Sequence, residues 1–152
     1  VEDIHSIVVT VAIPVLAAGI VADFINLVAD NEKLQTWTSR LLLIGAALVA
    51  LAAFSGSSAY DGASEEIREF AAGHRTSAFV LLWSLIGLIA MRFLFFEFNL
   101  FQSLMKWSYY ALLVALAVLL FRTANMGNRV GDTFEKKLPP VEERQDKRDL
   151  FQ

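Results

Sequence analysis

Cysteine is missing from all 152 residues. Its absence excludes disulfides, thiolate metal sites, cysteine-held iron–sulfur clusters and covalent c-type haem attachment within this chain. Histidine is almost missing, with only His5 and His74 present. Charged residues make up 19% against 56% hydrophobic, a balance too apolar for a globular domain of this size to bury. Lipid must cover the excess. The net charge of -3, with acids and bases both gathered outside the apolar runs, excludes a nucleic-acid footprint. Proline interrupts a single apolar run, at Pro14, so the paired broken helices of many transporter sites are lacking. No His-x-x-x-His, phosphate-binding loop, nucleophile elbow, zincin or rhomboid-like pattern occurs, so hydrolytic catalysis has no assembled constellation. The chain is not expected to be an enzyme by itself, although it suits a subunit of a redox complex.

What is present is four long apolar runs. A hydrocarbon core of about 30 Å needs roughly 20 residues of helix. The runs predict an all-α integral membrane protein, a four-helix transmembrane bundle of up-down topology, with helices near residues 7–29, 38–60, 75–97 and 103–123. Val1-Glu2-Asp3 lacks the positive start of a signal peptide, so the first run is read as a retained helix. Trp37, Tyr60, Trp107, Tyr109 and Tyr110 stand near run ends, where amphipathic rings prefer the headgroup level. In the second run Gly45, Val49, Ala52 and Gly56 form one small-residue stripe and Ala46, Ala50 and Ala53 the next. Close helix packing, a cofactor surface and a homodimer seam all fit such a stripe. Residues 1–132 are read as the transmembrane domain. Residues 133–152 are read as a polar tail of mixed charge, broken by Pro139-Pro140, that is mobile or lies on a partner.

An even number of spans brings both ends of the bundle to one side, side A, together with the loop 61–75. Asp61 or Ser64 caps a short surface helix across residues 61–70 in this reading. Side A carries Arg68, Arg75, Arg122, Arg129, Lys136, Lys137, Arg144, Lys147 and Arg148, whereas side B has Lys33, Arg40, Arg92 and Lys106. The positive-inside rule then places side A in the cytoplasm.

Two charges lie inside the runs. Asp23 follows His5 by 18 residues and Arg92 follows His74 by 18, about 27 Å of straight helix in each case. Helices one and three run in the same direction, so if the imidazoles are level the charges are level too. A structural ion pair near side B is expected, with a proton or ion path as the functional alternative. In an up-down bundle these two helices are diagonal, roughly 14 Å apart, a spacing that suits a porphyrin between two axial imidazoles. The stripes below them, Val9, Ala12, Leu16 and Gly19, and Ala78, Leu81 and Leu85, would floor the pocket. Ser55, Ser57 and Ser58 stand at similar depth, and Arg75 or Arg122 is available to a propionate. The alternative is a pair of interfacial histidines bonded to headgroups, water or carbonyls. Met126, past the fourth helix in a Gly-Asn turn, is a conceivable but less suitable ligand.

From His5 through Pro14 the chain resembles a bacterial family of predicted four-helix membrane proteins, domain of unknown function 2231. The likeness continues through Ala46 to Gly56, His74-Arg75 and Gly127-Asn128-Arg129-Val130-Gly131. Ser6 replaces the family's usual Pro, Thr10 stands where many members have another His, and Ala124-Asn125-Met126 interrupts the glycine cluster. Members often occur fused to, or near, cytochrome c or Rieske-type modules, so the resemblance implies membrane electron transfer. The leading expectation is a membrane protein or subunit carrying one haem b on His5 and His74, in a bacterial inner membrane, with protein partners in a redox assembly. The alternative is a cofactor-free accessory subunit of a larger complex. A small-solute carrier ranks last, because the midplane lacks convergent polar groups.

Overall fold

A computed structural model describes residues 2–98 and 102–137. Four helices follow one another: α1 (Glu2–Ala29), α2 (Glu32–Asp61), α3 (Glu65–Phe98) and α4 (Gln102–Lys137). Each contains a stretch long and apolar enough to cross a membrane. Sequential helices lie side by side, α4 returns to α1 to close the ring through its loosest seam, and α1 and α3 are diagonal. The chain is an integral membrane four-helix bundle with up-down topology.

The helices outrun the apolar segments that announce them. Hydropathy measures contact with lipid, whereas a helix continues until its backbone is capped or broken. Asp30 ends α1 by taking a left-handed conformation, φ 43°, which a short polar side chain tolerates. Asn31 then starts α2, its side-chain oxygen accepting from the backbone N–H of Lys33 at 2.9 Å and of Leu34 at 3.2 Å, and Glu32 favours the positive helix end. The surface helix expected across residues 61–70 is instead the start of α3, which runs unbroken from Glu65. The fourth helix likewise passes through Gly127 and Gly131 to Lys137. An interior glycine costs only about 1 kcal/mol relative to alanine and does not stop a helix alone. The expected tail from 133 therefore begins helical, and its part beyond residue 137 lies outside the described residues.

Burial reveals an order that the sequence reading missed. Ala12, Leu16, Gly19 and Asp23 of α1 are buried, and so are Leu81, Leu85, Leu88 and Arg92 of α3, each later by 69 residues, while buried Ile20 and Leu82 correspond to half-buried Ile89 and Ile13. Thr38, Leu42, Gly45 and Val49 of α2 correspond to Tyr109, Leu113, Leu116 and Leu120 of α4, all later by 71. The second helical hairpin thus repeats the layers of the first. Where side chains are smallest the helices approach most closely. A Cβ on Gly19 would stand 3.2 Å from Leu42, and one on Gly45 would stand 3.3 Å from Leu16. The small-residue stripe therefore includes a seam between α1 and α2 inside the bundle. Outward, Leu51, Phe54, Trp83, Phe93, Val118 and Phe121 are exposed to the surroundings, as a lipid-facing surface requires.

Candidate functional site

The apolar core is closed at each end by a polar layer. At side B the layer is built on Asp23 and Arg92, 1% and 4% exposed, which the common 18-residue spacing brings to one depth. Arg92 Nη1 donates to Asp23 Oδ1 at 2.5 Å and to the Tyr109 hydroxyl at 2.9 Å. Its Nε donates to Ser39 Oγ at 3.0 Å and its Nη2 to the Gln35 carbonyl at 3.1 Å. Tyr109 in turn donates to Asp23 Oδ2. The expected ion pair is present, and all four helices contribute to the network around it.

Tyr109, expected at the headgroup level, is instead buried, with only 5% of its surface exposed. Proximity to a run end misled that reading; the helical stripe Tyr109, Leu113, Leu116, Leu120 contains the signal that it faces inward. Trp37 and Trp107 are exposed, as interface rings should be. Thr38, the counterpart of Tyr109 in the first hairpin, is fully buried and its hydroxyl has no hydrogen-bond partner among the described residues. Tyr109→Phe should lower stability by about 1–3 kcal/mol, because Asp23 keeps its charge but loses a buried donor. Unfolding in mixed micelles measures this, and a variant as stable as the parent would remove the hydroxyl from the network's energetics.

At side A the layer is built on the two histidines, each packed against a glycine of its own hairpin. His5 of α1 lies on Gly56 of α2, so closely that a Cβ there would stand 2.8 Å from the ring's Cε1. His74 of α3 lies on Gly127 of α4, where a Cβ would stand 3.0 Å from Cε1. A side chain at Gly56 would displace the His5 ring, and one at Gly127 would press on the His74 ring. His5 Nδ1 is 3.2 Å from Ser55 Oγ. The His74 ring lies by the Thr123 carbonyl, yet its Nδ1 is buried without a hydrogen-bond partner, and so is the Thr123 hydroxyl.

Other residues considered from sequence fall differently. Arg75 is engaged away from the rings, 3.8 Å from Asp61 and with its guanidinium 4.7 Å from the centre of the Tyr60 ring. Arg122 is on the exposed face of α4, next to buried Thr123. Met126 is within α4 rather than in a turn, its sulfur 3.5 Å from Ser77 Oγ and its methyl against Gly73. Ser55 was noted only for its depth; no spacing rule in the sequence singles it out from Ser57 and Ser58. Among the described residues no group of three or more His, Asp or Glu side chains is arranged to hold a metal ion.

Fold and site together define an integral membrane four-helix bundle with a histidine layer at one end and a buried ion pair at the other. The chain belongs to the family described as predicted membrane protein (DUF2231), which matches residues 2–136. No curated protein and no solved structure matches it.

Proposed function

We propose that this protein carries one haem b between His5 and His74 and passes electrons within the membrane. The observation that carries the reading is the pair of imidazoles, the only two in the chain, each seated on a glycine of its own hairpin, Gly56 and Gly127. The donor set fits this group better than a bare ion. A free divalent ion needs three or four protein ligands, whereas porphyrin iron brings four nitrogens and asks the protein for two axial ones. The orphaned His74 Nδ1 marks a site whose polar contacts are incomplete among the described residues.

His5 and His74 would hold the iron, with Ala12, Leu16, Leu81 and Leu85 forming the apolar floor below. Held by His5 and His74, the haem would supply one-electron transfer. The bundle's role is then to fix both ligands and exclude water, and the electron donor and acceptor belong to partner proteins of a redox assembly. We further place the bundle in a bacterial inner membrane with side A cytoplasmic, because Arg68, Arg75, Arg122 and Arg129 flank the spans at that side.

Visible spectroscopy of the protein purified after expression with ample haem tests the reading. A Soret band with sharp low-spin bands on reduction is expected. Protein that is folded and lacks a Soret band would replace the proposal with a cofactor-free accessory subunit.

A further inference from the structure

We propose that Ser55 is a positioning residue that locks His5 as the Nδ1–H tautomer and so presents the unprotonated Nε2 as a ligand; the ligand role itself rests on the haem reading above. The argument is a count of protons. A serine hydroxyl has one hydrogen to donate, and that of Ser55 goes to the Ala52 carbonyl, 3.2 Å away. A carbonyl only accepts, so the hydrogen has no second destination. Toward His5, at 3.2 Å, Ser55 Oγ therefore accepts. The proton between them belongs to His5 Nδ1, and in the neutral ring Nε2 is left with its lone pair.

The relay Nδ1–H to hydroxyl to carbonyl is the arrangement that orients a metal-binding imidazole and raises its basicity. Gly56, next to Ser55, lets the ring lie flat enough on α2 to reach it. The second hairpin has no such relay. The 71-residue shift that superposes the core layers of α2 and α4 puts Met126 where Ser55 stands, so that position of α4 offers His74 a thioether in place of a hydroxyl. The two imidazoles are therefore alike in the backbone carbonyl each lies by, Ala52 for His5 and Thr123 for His74, and differ in the Ser55 hydroxyl, which His5 alone of the two meets.

The test needs no haem at first. Nitrogen NMR of ¹⁵N-histidine-labelled protein in detergent, at a pH where both rings are neutral, reports which nitrogen carries the proton, with His74→Gln assigning the signals. His5 is expected as Nδ1–H in the parent and in Ser57→Ala, and shifted toward Nε2–H in Ser55→Ala. Parent protein with His5 as Nε2–H, or Ser55→Ala with an unchanged tautomer, would overturn the proposal. The parent measurement decides even if Ser55→Ala does not fold. Haem titration then follows, with Ser55→Ala expected to bind roughly 10- to 100-fold more weakly. Equal affinity would overturn the positioning role. A parent that shows the tautomer but takes up no haem would sink the electron-transfer reading while leaving the Ser55 relay standing.

Discussion

Replacing Arg92 with Met while Asp23 stays in place is expected to destabilise the bundle by about 3–5 kcal/mol, the cost of leaving a buried carboxylate without its partner. Arg92 does more than neutralise Asp23. Its guanidinium also bonds Ser39, the Gln35 carbonyl and Tyr109, so removal unties α2, α3 and α4 at one end and strands acceptors in a dry layer. Removing both charges, as Asp23→Asn with Arg92→Met, should cost less than Arg92→Met alone, since no unpaired ion remains. Exchange of the two, Asp23→Arg with Arg92→Asp, should also be milder, because opposite charges still meet at one depth. Unfolding in mixed micelles orders the variants. A double loss equal to the sum of the separate Arg92→Met and Asp23→Asn losses would show that the ion pair contributes nothing beyond its separate side chains.

The second large effect is expected at the other polar layer. His5→Gly or His74→Gly should each abolish the low-spin spectrum and lower haem retention at least roughly tenfold, since one axial ligand cannot be supplied from elsewhere in the layer. Arg75 and Arg122 carry no ligand atom, and Met126 is directed at Ser77 and Gly73. Met126→Leu should thus leave the spectrum unchanged. Added imidazole should restore the low-spin bands in the glycine variants by filling the space that the ring leaves. A Met126-dependent spectrum would reassign one axial position, and an undiminished Soret band in both histidine variants would remove the imidazoles from ligation.

Much of this architecture was legible in the residues because the membrane makes strong demands. Four apolar runs leave few alternatives to four helices, and charges within them must find each other. The matching separations His5–Asp23 and His74–Arg92 sufficed to pair Asp23 with Arg92 without coordinates. Two kinds of information were not legible. Helix ends depend on backbone capping, so Asn31 and the unbroken passage through Gly127 and Gly131 escaped a reading based on hydropathy. Helix faces near the membrane boundary were also misread. There, position along the axis makes Tyr109 an interface ring, and the 100° between successive residues of a helix decides otherwise, setting it on the inward stripe with Leu113, Leu116 and Leu120.

The repetition of one hairpin by the other gives the unlike charges a role in choosing mates. If two first hairpins met in the bilayer as the first meets the second, Asp23 would face Asp23; two second hairpins would set Arg92 against Arg92. Either encounter buries like charges, while the unlike encounter satisfies both. The histidines carry no such discrimination, since each half presents the same ring on the same kind of glycine. One end of the bundle is therefore nearly indifferent to which halves combine, and the other accepts only complementary ones. That division lets a near-symmetric pair of imidazoles coexist with a rule that a first hairpin meets a second one, and it disfavours contacts between two like hairpins of neighbouring chains.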